Sequence, residues 1–310
     1  MRCARSGSTS ETPLTAPIRG LLCPVTTPFD SDGEVSPERL TAQIEIYERW
    51  LLAGVVLFGT SGEGPLLEAD EEAALLSAAR TALGSGRALL AQVGHESVRA
   101  TAASARRAEA EGADAILCLP PRYYPVEREG LAEYYREVAA ACGLPLLAYH
   151  IPQRSHVELS AELLCELAAE GVLAGIKESA GDLDLQRAIR EGAGDRFSIL
   201  NGRASLTLAA LRGGADGAIL AVADAAPEAA LAILEAHAAG ETGRAEAAQR
   251  ALEPLATCLG SRFGVPGIKA ALDLRGWPGG GPPRPPLASL GEADRREVGV
   301  ALRAAGVDLS

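Results

Sequence analysis

The chain has 310 residues, of which 47% are apolar and 23% are charged, ordinary values for a globular protein. Its 29 basic and 41 acidic residues give a formal net charge of −12. Because nucleic acids and anionic membrane surfaces attract Lys and Arg, this charge excludes both as expected partners. Aromatic residues make up only 4%, so we expect a soluble, acidic protein with an aliphatic core.

The six cysteines are dispersed, with no C-x-x-C pair, and most of them lie in apolar runs. Such thiols are typical of a reducing compartment, so we expect a cytoplasmic protein. The four histidines lack the spacing of zinc ligands, so no metal is expected. Residues 1–17 are rich in Ser, Thr and Pro, which predicts a disordered N-terminal tail and not a signal peptide. No apolar run approaches the roughly 18 residues that a membrane-spanning helix needs.

From residue 20 onward, short apolar runs alternate with helical segments rich in Ala, Leu, Glu and Arg. Runs that are apolar throughout are typical of parallel strands buried on both faces. The predicted strands cover residues 21–25, 54–58, 88–93, 115–119, 146–149, 172–177, 197–200 and 217–222. The predicted helices between them cover residues 37–52, 70–83, 97–111, 129–142, 160–170, 182–191 and 204–211.

Eight alternating units predict an α/β fold, a (β/α)8 TIM barrel over residues 18–226. The competing topology is an open, doubly wound sheet. It is disfavoured because no G-x-G-x-x-G sequence follows the first strand and because eight units suit closure.

After the eighth strand the pattern becomes helical, which predicts a C-terminal helical extension over residues 227–310, packed on the barrel. Its helices are predicted at residues 227–259, 265–274 and 290–305. Residues 276–286 between the last two are rich in Gly and Pro. This composition favours an exposed, polyproline-like connector over a partner-binding motif.

In such a barrel the carboxyl ends of the strands form the active site, so the residues there are the first candidates for catalysis. Strand two leads into residues 59–64 (GTSGEG), whose backbone N–H groups and hydroxyls suit a small carboxylate. Taken alone, a turn of this kind more often has no ligand than one. Strand six ends in Lys177, which either pairs with Glu178 or is a desolvated amine able to form a Schiff base.

Two further strand ends carry tyrosines. Tyr149 ends strand five, where the alternatives are an aromatic that caps the core and a catalytic phenol. Tyr123 and Tyr124 lie between prolines after strand four, a rigid display that is typical of a subunit contact or a lid. Each feature alone is weak, and their convergence on one end of a barrel indicates an active site.

These motifs, in this order and spacing, resemble the dihydrodipicolinate synthase/N-acetylneuraminate lyase family of pyruvate-dependent class I aldolases. The resemblance runs from about residue 20 to the C-terminus. It rests on residues 25–29 (VTTPF) with Gly33, 59–63 (GTSGE), 121–125 (PRYYP), 149–152 (YHIP) and 175–179 (GIKES).

The resemblance implies that Lys177 forms a Schiff base with pyruvate and that Tyr149 is the phenol that moves protons beside it. Thr60 is implied to link Tyr149 to Tyr123, the latter supplied by a neighbouring subunit. The implied catalytic residues are therefore Lys177, Tyr149, Thr60 and Tyr123, and the implied substrate-binding residues are Ser61, Arg154, Gly202 and Ile219.

Among these, Thr60 and Ser61 are implied to bind the carboxylate of pyruvate, and Arg154 that of the incoming aldehyde. Arg154 favours a synthase that condenses pyruvate with aspartate semialdehyde. His150, Arg122 and Arg203 depart from the synthase pattern. They favour the alternative, a catabolic aldolase that cleaves a 2-keto-3-deoxy sugar acid, N-acetylneuraminate or a 4-hydroxy-2-oxo acid.

A non-catalytic barrel that senses a keto acid is the third possibility. The expected partners are small-molecule substrates, with no cofactor, no nucleic acid and no membrane. The resemblance also implies a homotetramer arranged as a dimer of dimers.

Overall fold

The computed structural model describes residues 17–84 and 86–309, so the predicted tail lies outside the described residues except for Pro17. Eight parallel strands pair in chain order, and the first strand also pairs with the last, which closes the barrel. The (β/α)8 prediction is therefore confirmed, and the open sheet is wrong. The strands are β1 Gly20–Pro24, β2 Gly54–Leu57, β3 Ala88–Gln92, β4 Ala115–Cys118, β5 Leu146–His150, β6 Gly175–Glu178, β7 Ser198–Asn201 and β8 Gly217–Ile219.

Helices alternate with the strands as the periodicity predicts. Within the barrel they are α1 Pro37–Tyr47, α2 Ala69–Ala82, α3 Val98–Ala110, α4 Arg128–Ala139, α5 Pro152–Ser155, α6 Ala161–Ala169, α7 Leu183–Ala193, α8 Thr207–Arg212 and α9 Val222–Ala225. Further helices are α10 Pro227–Ala238, α11 Thr242–Ala256, α12 Gly264–Leu274 and α13 Glu292–Ala304. Across residues 17–84 and 86–309, no helix combines the length and the apolarity needed to cross a membrane.

The barrel interior is filled by aliphatic side chains. Alternate residues of parallel strands point to opposite faces, so one set points inward and the other packs beneath the helices. The inward set includes Leu22, Val56, Leu90, Leu117, Leu147 and Leu200. Tyr149 and Ile219 belong to the same inward set and lie at the carboxyl ends of their strands. The fold therefore directs these two predicted site residues into the barrel mouth.

Residues 277–281 of the Gly- and Pro-rich segment 276–286 pack against the barrel, so the prediction of an exposed connector is wrong for them, whereas Pro282, Pro285 and Pro286 are exposed. The N–H of Gly279 donates to Gln43 at 2.9 Å, and the Thr26 hydroxyl donates to the Gly279 carbonyl at 3.0 Å. A Cβ on Gly280 would lie 2.2 Å from the carboxylate of Asp273. The small residues thus let this backbone pack directly against the barrel, which composition alone cannot distinguish from a linker.

Asp224 on α9 is a fully buried carboxylate at the junction of β1, α1 and β8. It accepts the N–H of Thr26 at 3.0 Å and the hydroxyl of Tyr47. Burial raises the pKa of Asp224 to about 6, although the hydrogen bonds from Tyr47 and Thr26 oppose this shift. The folded state therefore holds a proton on Asp224 at a pH where the unfolded chain has released it.

Asp224→Asn is expected to flatten the pH dependence of stability between about pH 4 and pH 6. The folded pKa of about 6 lies above the ordinary value of 3.8, so wild-type stability falls as pH rises through this window. The free energy of unfolding falls by on the order of 3 kcal/mol across this window, and the fall is complete above the folded pKa. Urea unfolding of both proteins at several pH values measures it. A wild-type-minus-variant difference that is constant with pH would contradict this assignment.

Candidate active site

A cavity of about 310 Å³ opens at the carboxyl ends of the strands. Seven of the eight predicted site residues line it, and they come from five different strand ends: Thr60, Ser61, Tyr149, Arg154, Lys177, Gly202 and Ile219. Tyr123 is the exception. The closure of the barrel thus brings together residues that are up to 159 positions apart in the chain.

Lys177 and Tyr149 face each other across the β5–β6 pair, where they occupy the same register position. The Lys177 Nζ lies 4.2 Å from the centroid of the Tyr149 ring. Their side chains are buried, with 5% and 2% of the residue surface exposed. An amine so enclosed is placed to react with a carbonyl from the cavity.

The alternative in which Lys177 pairs with Glu178 is wrong. Consecutive strand residues point to opposite faces, and Glu178 lies outside the barrel. Its carboxylate accepts the N–H groups of Ala180 and Gly181 at 2.6 Å and 3.0 Å. Lys177 forms no ion pair with a carboxylate within 4.0 Å among residues 17–84 and 86–309.

The pKa of Tyr149 is lower than that of an ordinary tyrosine. Burial alone raises it, but the charge of Lys177, the hydrogen bonds with Thr60 and Lys177 and the charge of Arg154 together outweigh burial. The Thr60 Oγ1 and the Tyr149 hydroxyl lie 3.3 Å apart. Tyr149 is therefore suited to accept and return a proton nearer to neutral pH than a free phenol.

The turn that carries Thr60 and Ser61 has an uncommon backbone. Phe58, buried at its start, and Glu63, near its end, adopt positive φ values of 61° and 56°. Such values are rare outside glycine and persist only when the surroundings enforce them. A Cβ on Gly64 would lie 2.0 Å from the Phe58 carbonyl, so the turn closes tightly on itself.

Gly202 and Ser179 form the wall beside Lys177. The N–H of Gly202 donates to the Glu178 carbonyl at 2.6 Å, and a Cβ on Gly202 would lie 1.9 Å from the Ser179 hydroxyl. That hydroxyl is buried and has no hydrogen-bond partner within the described part of the chain. Sequence reasoning gave Ser179 no role, although it is the last residue of the 175–179 (GIKES) motif.

The cavity is cationic although the chain is acidic. Lys177, Arg154 and Arg203 line it, and the described lining residues include no Asp or Glu. Arg154 follows β5 and Arg203 follows β7, so the two guanidinium groups flank the strand that carries Lys177. An anionic substrate is attracted to this mouth against the repulsion of the overall charge.

Tyr123 does not join the other residues. It is 77% exposed, and its ring contacts that of Tyr124 at a centroid distance of 5.0 Å. Its backbone N–H donates to Glu96 at 2.8 Å, which holds the segment on the surface. That Tyr123 enters the active site of a neighbouring subunit therefore stays a prediction.

The C-terminal residues form one wall of the cavity, a contribution that sequence reasoning missed. The π-helical turn Thr257–Arg262 supplies Gly260 and Ser261, and α12 supplies Val265 and Ile268. An apolar helix gives no sign of which groove it fills, so this wall had no signal in the sequence.

The cavity lies at the carboxyl ends of the barrel strands, where (β/α)8 barrel enzymes have their active sites. A model of the Dihydrodipicolinate synthetase family matches residues 17–305. A 4-hydroxy-tetrahydrodipicolinate synthase of Synechococcus sp. is 35% identical over 289 residues, 93% of this chain and 95% of that protein. An uncharacterized DapA-like lyase of Halobacterium salinarum is 36% identical over 279 residues, 90% of this chain and 91% of that protein.

Solved structures agree with these relatives. The crystal structure of dihydrodipicolinate synthase from Thermotoga maritima matches with a TM-score of 0.88 at 25% identity, covering 93% of this chain and 99% of that one. The chain therefore belongs to the dihydrodipicolinate synthetase family, whose members are class I pyruvate-dependent lyases. It is an enzyme of that family, and the resemblance inferred from its motifs is confirmed.

Proposed function

We propose that the enzyme condenses pyruvate with a carboxylated aldehyde through a Schiff base on Lys177, as a 4-hydroxy-tetrahydrodipicolinate synthase does with aspartate semialdehyde. The observation that carries this proposal is the buried Lys177–Tyr149 pair in a cavity lined by two arginines. Family membership alone leaves the identity of the aldehyde open. Arg154 and Arg203 in the cavity wall favour an aldehyde that carries a carboxylate in addition to that of pyruvate.

The proposed reaction begins at the Lys177 amine. Its Nζ attacks the keto carbon of pyruvate, and loss of water from the carbinolamine leaves a cationic imine. The imine withdraws electrons, so a proton leaves the pyruvate methyl carbon and an enamine forms. The enamine carbon then bonds to the aldehyde carbon, the new alkoxide takes up a proton, and hydrolysis of the imine restores Lys177. No metal or nicotinamide is needed, because the imine itself accepts the electron pair.

Tyr149 and Thr60 are assigned the proton transfers. The lowered pKa of Tyr149, to which Lys177 and Thr60 contribute, favours a phenol that exchanges protons near neutral pH. Ser61, together with Thr60, is assigned the pyruvate carboxylate, since both line the cavity and belong to the turn after β2, whose backbone N–H groups and hydroxyls suit a small carboxylate. Gly202 and Ile219 line the space beside the imine.

The test is borohydride trapping in the presence of pyruvate, followed by peptide mass mapping. We expect one reduced pyruvate adduct, located on Lys177. A folded wild-type protein that gives no adduct would refute the proposal. A coupled assay of pyruvate with aspartate semialdehyde, N-acetylmannosamine and short sugar-derived aldehydes then identifies the aldehyde substrate.

The second candidate is a catabolic aldolase. Gln153, Ser205 and Ser261 add amide and hydroxyl groups to the cavity wall, which suits a hydroxylated keto acid. Faster cleavage of such an acid than condensation of aspartate semialdehyde would select this candidate.

Arg154→Ala is expected to lower kcat/KM for a carboxylated aldehyde by about 10–100-fold, since a charge-assisted hydrogen bond contributes roughly 1.5–3 kcal/mol. The loss should fall on the KM of the aldehyde, because Arg154 holds a group that does not react. An uncharged aldehyde of similar length is the control, and its kcat/KM should change little. Equal losses for both aldehydes would contradict this role.

We further propose that the chain forms a homotetramer in which Tyr123 completes the relay of a neighbouring subunit. The exposed Tyr123–Tyr124 pair, held by Glu96, supports a subunit contact at this position. Light scattering measures the mass in solution. A cytoplasmic location is also proposed, in keeping with the free thiols of Cys23, Cys118, Cys142, Cys165 and Cys258.

A further inference from the structure

The chain has only two lysines, Lys177 and Lys269, and the remaining 27 of its 29 basic residues are arginine. Both lysines are buried, with 5% and 1% of their surface exposed. Lys177 has a role in the proposed reaction, but Lys269 does not line the cavity. Burying a cation is costly unless it is well paired, so Lys269 needs a local explanation.

Lys269 lies on α12 and has one carboxylate partner in the described structure. Its Nζ is 2.7 Å from Glu63 Oε1, donates to the Pro282 carbonyl at 2.9 Å and lies 4.4 Å from the centroid of the Phe29 ring. Burial lowers the pKa of Lys269, and Glu63 opposes that shift. Arg39 and Asp224 are the other charged groups that influence it.

Glu63 is equally enclosed, and it belongs to the turn that carries Thr60. Its backbone N–H donates to the Thr60 carbonyl at 3.3 Å, and its second carboxylate oxygen accepts the N–H of Arg284 at 2.8 Å. Glu63 does not line the cavity, and its carboxylate instead meets Lys269 on α12. The ion pair therefore ties the turn that carries Thr60 to α12.

We propose that Glu63 and Lys269 are positioning residues that hold the Thr60 hydroxyl against Tyr149. The residue before Lys269, Ile268, lines the cavity, so one helix both forms the cavity wall and fixes the turn opposite it. A lysine suits this place because its compact ammonium group fits between a carboxylate and an aromatic ring, where a planar guanidinium is larger. This inference rests on the proposed function, in which Tyr149 carries out the proton transfers.

The test compares Glu63→Gln, Lys269→Met and the double variant with wild type, after circular dichroism has shown which are folded. We expect kcat to fall on the order of 10²-fold, the effect typical of a reacting group misplaced by about 1 Å. We also expect the basic limb of the kcat–pH profile to move to higher pH. The hydrogen bond with Thr60 lowers the pKa of Tyr149, so its loss raises that pKa, whereas Lys177 and Arg154 still act on it.

The double variant keeps the test decisive if the single variants fail to fold. Removing both members of a buried ion pair leaves no unpaired charge and is often tolerated. The matched control is Glu228→Gln, which breaks the ion pair with Arg275 at 2.8 Å, just after the same helix, without touching the turn. It should retain the wild-type kcat and pH profile.

A folded double variant with wild-type kcat and an unmoved basic limb would overturn this inference. A general loss of stability that lowers kcat without moving the limb would do the same. Both results are distinct from failure of the proposed function, which is judged by pyruvate trapping on the wild-type Lys177.

Discussion

Lys177→Ala is expected to abolish turnover, with kcat lower by about 10⁴-fold or more, because no amine remains to form the imine. The alanine leaves the strand pairing with β5 and β7 intact, so the barrel should keep its fold. Steady-state assays with pyruvate and the identified aldehyde measure the loss. Borohydride trapping on the same protein should give no adduct on the segment that contains residue 177.

Lys177→Arg is the matched control for charge. It keeps a cation in the cavity but offers no amine that condenses with a ketone, so it should be as inactive as the alanine variant. Because Lys269 is the only other lysine, an adduct in either variant is readily located. An arginine variant with substantial activity would mean that Lys177 acts through its charge and not as a nucleophile.

Tyr149→Phe is expected to lower kcat by about 10²–10⁴-fold, the range typical of losing a general acid–base group. The ring remains in the barrel interior beside the Lys177 Nζ, so binding of pyruvate should suffer much less than kcat. The wild-type profile should show a basic limb below the ordinary pKa of a tyrosine, since Lys177, Thr60 and Arg154 lower it. That limb should disappear in the variant.

Tyr135→Phe provides the control for loss of a buried phenol. Tyr135 is fully buried outside the cavity, and its hydroxyl has no partner in the described structure. Its removal should leave kcat and the pH profile unchanged. If Tyr149→Phe behaved in the same way, Tyr149 would be a packing residue, which is the alternative that its position at the barrel rim left open.

Much of the site was predictable because its chemistry is concentrated at strand ends. The apolar run before Lys177 implied a buried amine, and the tyrosine at the end of the preceding strand implied a neighbour for it. Closure of the barrel follows from eight alternating units, and closure alone brings such ends together. Errors arose where composition and packing disagree, as in the segment around Gly279, whose small residues serve close contact and not mobility.

The sequence by itself determined the barrel and placed Lys177 and Tyr149 at its mouth, because both depend on local patterns, namely apolar periodicity and the residue that ends each strand. The roles of these two residues were implied by the resemblance of the motifs to a known family and not by those patterns. Only the tertiary structure decided that Lys177 is free of Glu178 and that Lys269 fastens the Thr60 turn from behind. Glu63 and Lys269 are 206 positions apart, and Lys177 and Glu178 lie on opposite faces of one strand, so how the elements pack decides which of these pairs forms.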